Sequence, residues 1–275
     1  MSGRDGLART FWLGGMSGVG KTTAALTLAH RYDLRLYTID ARTYEHAVRQ
    51  PEDTRTLDER WVDTTPAELA DAFEQGARER LGLVLDDLQR IEDAAPVLVE
   101  GPQLLPDLVA PLAAPQSALF VVAQPELQER LVRARGPGVS ARTRDPERAL
   151  ANRLGRDEEL ARRLRESTAE HGLPLVEVRE AEETLPAIEA RLLPLLEPWL
   201  ARPHGDVGKR RREENDTRLR QWRSHVDTVG IEHPGEIVLA CECSAPACEL
   251  PMRTGLLEAE AARDRGDRLI SPAHL

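Results

Sequence analysis

Gly15-Met16-Ser17-Gly18-Val19-Gly20-Lys21-Thr22 carries the residue types and the spacing that hold a phosphate chain. Its glycines let the backbone curl until successive N–H groups point inward, and the helix that follows adds its positive N-terminal end. Lys21 brings a full charge to the β- and γ-phosphates, and the Thr22 hydroxyl stands where a nucleotide's Mg²⁺ needs a ligand. Thr23, in the first turn of the same helix, completes the expected nucleotide-binding set. The flanks agree: apolar Phe11-Trp12-Leu13 leads in, and an alanine- and leucine-rich helical stretch leads out.

Composition sharpens that signal. Lys21 and Lys209 are the chain's only lysines, so a lysine at the one position that needs a slim ammonium is not background; arginine's planar fork would not fit there. The chain has 275 residues, enough for one large domain and a small addition. A formal net charge of -10 argues against a general nucleic-acid or anionic-membrane binder. No apolar run approaches a membrane span, and Met1 to Gly6 lacks the pattern of a secretory signal. A cytoplasmic protein is expected. Three cysteines gathered near the end fit a reducing compartment and describe no disulfide framework.

The elements that must position the loop follow in order. Residues 8–14 predict a first strand, Lys21 to about Tyr32 a helix, and Leu34 to Ile39 a second strand that ends at Asp40. A carboxylate at a strand's C-terminal edge faces the region where open α/β sheets bind ligands; capping the next helix is its other compatible role. Residues 64–93 predict a helix. Leu83-Val84-Leu85-Asp86-Asp87 imitates an acid-terminated strand, but Leu81, Val84, Leu85, Leu88 and Ile91 recur at helical spacing, leaving Asp86 and Asp87 on a solvated or substrate-side face. Pro96 to Gly101 is the better third strand, and its Glu100 arrives beside the loop, able to hold Mg²⁺ through water, polarise an attacking hydroxyl or cap the next turn.

Ser117 to Ala123 predicts the fourth strand and Pro125 opens a helix to about Arg135. Gly136-Pro137-Gly138-Val139-Ser140 follows, rimmed by Arg133, Arg135, Arg142 and Arg144, with Arg153 and Arg156 beyond. A glycine-bearing flap edged by arginines is what a phosphoryl-transfer lid needs, and an arginine-rich surface helix is the plainer alternative. Gly172 to Val178 predicts the fifth strand and Leu185 to Leu200 an amphipathic helix. Five strands alternating with helices call for a doubly wound parallel sheet covered on both faces.

Over residues 8 to about 200 this pattern resembles the small-molecule and nucleotide kinases of the P-loop superfamily, among them adenylate, shikimate and gluconate kinases, chloramphenicol phosphotransferase and the zeta toxins. The resemblance implies strand order 2-3-1-4-5, Asp40 as the substrate-side acid some twenty residues beyond the lysine, and a lid drawn from Arg133 to Arg156, with Arg153 and Arg156 first in line.

The tail is expected to be a separate unit, giving a nucleotide-binding domain over 1–202, a charged helical linker over 203–230 and a small Cys-bearing module over 231–275. Lys209-Arg210-Arg211-Arg212-Glu213-Glu214 predicts a solvated helix with opposite charges in i,i+4 reach, continuing to about Asp227. Cys241-Glu242-Cys243 and Cys248 resemble a C-E-C-x4-C module appended to unrelated bacterial regulatory and enzymatic proteins. Three sulfurs and the imidazole of His274 would complete a tetrahedral zinc shell. His225 and His233 compete as the fourth ligand, and three reduced thiols in a hairpin need no metal.

The expected activity is ATP- and Mg²⁺-dependent phosphoryl transfer to a hydroxyl or phosphate of a small metabolite or nucleotide, with Lys21, Asp40, Glu100, Arg153 and Arg156 carrying it. The other reading is a nucleotide-dependent regulatory module whose cysteine-bearing tail contacts a protein partner.

Overall fold

The computed structural model describes residues 7–50, 54–113, 117–134, 141–200, 205–232 and 234–274. Five parallel strands form the central sheet: β1 (Thr10–Gly15), β2 (Arg35–Thr38), β3 (Val97–Glu100), β4 (Ala118–Ala123) and β5 (Leu175–Val178). Their order is β2-β3-β1-β4-β5. All residues of β1, β3 and β4 are buried, as expected of strands covered on both faces and carrying near-continuous apolar sequence. β5 leaves Glu177 exposed at the sheet's edge.

The helices of this part are α1 (Lys21–Arg31), α2 (Thr43–Ala47), α3 (Leu57–Trp61), α4 (Pro66–Gln89), α5 (Pro106–Val109), α6 (Pro125–Ala134), α7 (Pro146–Glu170) and α8 (Thr184–Leu200). α1 packs on α8, and α4 packs along α7. The expected helix over 64–93 is α4, with Val84 and Leu88 among its buried residues. Its start follows from local chemistry. Thr65 accepts from the Glu68 N–H, Glu68 accepts from the Thr65 N–H, and Pro66 opens the first turn, where a missing N–H costs nothing. α7, 25 residues long, occupies much of the stretch read from sequence as lid. The flap itself, Gly136 to Ser140, and Arg135 lie outside the described residues.

The tail comprises α9 (Val207–Val229), an antiparallel hairpin of β6 (Glu236–Ala240) and β7 (Pro251–Gly255), and α10 (Leu256–Asp264). Leu219 and Val226 of α9 join Leu239, Leu256, Ala259, Ala262 and Leu269 in one small apolar core. α9 ends at Gly230, whose φ of 73° is the left-handed conformation that closes helices. The expectation of a solvated α9 is corrected by its interior: Arg210 and Arg211 are 5% and 3% exposed and Asn215 is fully buried. The Asn215 side chain both accepts from Ala240 N–H and donates to Ala240 C=O, each at 2.8 Å, pinning the hairpin to the helix. Among the described residues, no helix is long and apolar enough to cross a membrane.

Candidate nucleotide and acceptor site

β1 delivers the loop to the C-terminal edge of the sheet. At Gly15, φ is 121° and any Cβ would strike the backbone of Val121 in β4, so glycine is required there. Met16 N–H donates to Val121 C=O at 2.8 Å, which starts the loop against the neighbouring strand. Gly18 and Gly20 also take left-handed φ, 93° and 85°. α1 then begins at Lys21 with no acidic residue of its own in the first turn, where a helix presents its positive end. Thr23 is exposed in that turn. Two side chains brace the loop from outside: the Thr184 hydroxyl donates to Val19 C=O at 2.7 Å, and Gln128 Nε2 donates to Ser17 C=O at 3.2 Å.

Because β3 lies beside β1, Glu100 stands level with Leu13, next to the loop. The Thr22 hydroxyl donates to Glu100 Oε2 at 3.0 Å, and Lys21 Nζ lies 3.9 Å from Glu100 Oε1. Lys21 Nζ also donates to Met16 C=O at 2.6 Å. These groups are deeply placed, Lys21 at 3% exposure and Glu100 at 1%. Burial pushes the Glu100 carboxyl above its usual range, with Lys21 pulling the other way. A buried carboxylate and a buried ammonium, held close but not in direct contact around a hydroxyl, form a donor set that a phosphate and a hard cation can enter.

Asp40 sits two residues beyond β2, at the start of a short 3₁₀ turn (Asp40–Arg42), and its exposed carboxylate accepts from Gln103 Nε2 at 2.8 Å. It caps nothing: neither the turn nor α2 has a side-chain cap. Gln103 lines a cleft of about 1700 Å³ together with Tyr44, Trp61, Arg80 and Arg156, and α9 supplies Arg220 and Arg223 to its wall. A second cavity of about 430 Å³ touches Gly15, Met16 and Ser17 of the loop and Arg156 and Asp157 of α7.

Of the two leading lid arginines, Arg156 lines both cavities, whereas Arg153, half-buried on α7, lines neither. Arg156 is paired with Asp157 at 2.5 Å and lies 5.1 Å from the centre of the Trp61 ring, a cation–π contact. Arg144 is committed elsewhere, ion-paired with Asp63 and taking Asp58 on its backbone N–H at 2.8 Å. Arg133 pairs with Glu129 within α6, and Arg142 is exposed. The two acids of the imitation strand part company. Asp86 is exposed, but Asp87 turns inward to accept from Tyr37 at 2.8 Å and Arg49 at 3.0 Å, with His46 Nε2 at 3.0 Å. Burial alone would raise the Asp87 carboxyl; the bonds from His46, Tyr37 and Arg49 override it and hold the group well below the usual carboxylate range.

Sequence reasoning missed Arg80. It lies three residues after buried Ala77 and four before buried Val84, so an arginine interrupts the apolar face of α4, and that interruption was the available signal. Arg80 has no hydrogen-bond or ion-pair partner among the described residues. Burial lowers its pKa below the guanidinium range while the Asp40 carboxylate acts the other way. Gln103, in a turn, and Gln128, on α6, were missed as well, and a lone amide carries no comparable signal.

At the far end of the molecule, Cys241, Cys243, Cys248 and His274 come together. His225 does not join them; it stacks on Trp222 and meets the Tyr44 hydroxyl at 3.2 Å. His233 lies outside the described residues.

Neither a protein-family model nor a curated protein sequence matches the chain. Among solved structures it is similar to the YorR protein of Bacillus subtilis, crystallised in complex with phosphorylated GDP, at 16% identity and a TM-score of 0.31, covering 68% of this chain and 96% of that one. It is also similar to an uncharacterized protein from Eubacterium ventriosum at 13% identity and a TM-score of 0.31, covering 67% and 98% respectively. The strand order and the geometry of the loop are this chain's own, and the functional reading rests on them.

Proposed function

We propose that the chain is an ATP- and Mg²⁺-dependent phosphotransferase whose acceptor is a small hydroxyl-bearing metabolite or nucleotide carrying an anionic group. The observation that carries this reading is the Lys21–Thr22–Glu100 cluster at the strand edge, together with a cleft lined by Arg80, which has no bonded partner among the described residues, and by Gln103, which holds Asp40. The loop's backbone N–H groups beyond Met16, whose own N–H is taken by Val121, and the Lys21 ammonium would hold the β- and γ-phosphates, and the residues present fit that task. Thr22 and Glu100 would hold Mg²⁺, which neutralises charge on the phosphates when bound.

The remaining roles belong to side chains that line the cleft or bond to its lining. Asp40, kept in place by Gln103, would accept the proton of the acceptor hydroxyl. Arg80 would pair with the acceptor's anionic group, which supplies the partner its guanidinium lacks. Arg156, held by Asp157 at the junction of both cavities, would meet charge on the transferring group. We assign residues 1–202 to nucleotide binding, 203–230 to a charged connecting helix and 231–275 to the Cys-bearing module. Three free thiols fit a reducing, cytoplasmic setting.

The test is ADP release by the purified chain with Mg-ATP, with and without pooled cellular metabolites, using Lys21→Ala as the blank. Stimulation by the pool that disappears in the blank supports phosphoryl transfer. A slow rate indifferent to metabolites overturns it and favours the other reading, a nucleotide-dependent module acting on a protein partner.

A further inference from the structure

We propose that Cys241, Cys243, Cys248 and His274 bind one structural zinc ion, and that this ion fastens the tail to the end of α1 opposite the phosphate loop. One ligand atom from each of the four lies within 4.8 Å of all the others. His274 Nε2 is 3.3 Å from Cys243 Sγ and 3.1 Å from Cys248 Sγ. Tetrahedral zinc with its usual bond lengths needs sulfur–sulfur separations of about 3.8 Å and sulfur–nitrogen separations of about 3.5 Å. Small adjustments reach that geometry, and a Cys₃His set is a closed shell with no position left for substrate, which makes the site structural.

The surroundings are built for a charged centre. Binding takes a thiol proton from each cysteine into solvent, so three thiolates and Zn²⁺ leave one net negative charge. Arg211, 3% exposed, brings a guanidinium to 3.6 Å from Cys243 Sγ. The Ser271 N–H donates to Cys241 Sγ at 3.2 Å, the type of outer bond that orients a metal-bound thiolate. Glu242, between the first two cysteines, is fully buried and works as the clamp: it accepts from Asn215 at 2.8 Å, from Leu269 N–H at 3.0 Å and from Arg263, while its own N–H donates to Leu269 C=O at 2.9 Å. Those bonds zip the segment carrying His274 onto the cysteine-bearing strand end, so the fourth ligand arrives already positioned.

The same loop meets the nucleotide-binding part. Ala247 N–H donates to both Asp33 carboxylate oxygens at 3.1–3.2 Å, and Arg211 Nη2 donates to Asp33 Oδ1 at 2.8 Å. Asp33 and Ala247 are the chain's two described non-glycine residues with left-handed φ, 51° each, and they face one another. Strained backbone of this kind persists where its surroundings over-determine it, and a metal in the Cys243–Cys248 loop would do so. Glu249 adds a two-pronged pair with Arg31 at 3.0 Å on each bond.

The experiment is metal analysis of the full chain purified without added metal, followed by chelation under reducing conditions and titration with Co²⁺. One zinc per chain, and a cobalt spectrum with the intense visible bands of a tetrahedral thiolate site, are the expected results. Cys243→Ser should lose the zinc or bind it at least tenfold more weakly. Lys21→Ala should keep it in full, so a failed phosphotransferase assay leaves this test intact. A chain that holds no zinc and gives no tetrahedral cobalt signature, or that holds iron instead, overturns the proposal. Full retention of zinc in Cys243→Ser overturns the ligand set, and because the cobalt titration is done on the parent chain, a misfolded variant cannot hide the answer.

Discussion

The two ends of α1 meet different chemistry. At its N-terminus a buried ammonium and a buried carboxylate stand 3.9 Å apart beside a helix end that has no acidic residue in its own first turn. At its C-terminus, Asp33 and Arg31 are saturated by Arg211, Ala247 and Glu249 of the tail. The contrast separates the end proposed to bind a nucleotide from the end whose charges are paired with the chain's own tail. Buried charge is costly unless it is paired, and both ends meet that demand differently: the first with groups of the loop and β3, the second with side chains and backbone of the tail.

The largest effect should come from breaking the assembled end. Arg211 is buried in its pair with Asp33 and also donates to the carbonyls of Cys243 and Ala245 at 3.2 Å each. Arg211→Ala should cost about 3–5 kcal/mol in urea unfolding, since it strands a partly buried carboxylate and two carbonyls. Lys209, on the same helix but 75% exposed, is the matched control, and Lys209→Ala should cost about 0.5 kcal/mol or less. Equal losses for the two would mean the tail does not dock through this face.

Lys21→Ala attacks the other end and should divide function from stability. ADP release should fall by about 100- to 1000-fold, the usual cost of removing one charge-stabilising donor. The thermal midpoint should stay near that of the parent, because Glu100, already pushed up by burial, takes a proton when its cation is removed. A large drop in the midpoint would show that Lys21 serves the fold before the ligand.

The same contrast explains what could be read in advance. The loop from Gly15 to Thr22 is contiguous, and its glycines and lysine have one physical use, so it was legible, as were five apolar strands and the sheet they build. α9 was not. Its sequence, Lys209 to Glu214, reads as a solvated charge run, yet Arg210 and Arg211 are buried. What buries them is Asp33 and the cysteine loop, more than 30 and up to 178 residues away in sequence. Periodicity reports the face a helix presents and is silent about a partner of opposite charge. Asp87 eluded sequence reasoning for the same reason: its partners Tyr37 and His46 lie 50 and 41 residues before it.

Asp87 gives an effect of intermediate size with a defined pH dependence. Its folded pKa is depressed, so its contribution is complete at neutral pH, above the unfolded value, and is lost as pH falls through and below the ordinary carboxylate range. Asp87→Asn should therefore cost about 1–3 kcal/mol at neutral pH, the usual penalty for a weakened buried polar cluster. The difference from the parent should shrink steadily on acidification. Urea unfolding across that range measures it, and a constant difference would place the loss in packing instead of charge.

Arg80 should give the smallest effect and the most direct reading of the proposed acceptor site. The guanidinium lines the cleft with no bonded partner among the described residues, so replacing it removes no protein–protein bond and relieves a desolvated charge. Arg80→Gln should leave unfolding unchanged or slightly improved, within about 0.5 kcal/mol. If the cation meets the acceptor's anionic group, the KM for the stimulating metabolite fraction should rise about tenfold, equivalent to about 1.4 kcal/mol. The KM for Mg-ATP should not move, because the nucleotide is held at the loop. A loss of stability would place Arg80 with the saturated charges of the tail. An unchanged acceptor KM would mean that the charge is left bare for some purpose other than substrate, and the anionic character assigned to the acceptor would fall with it.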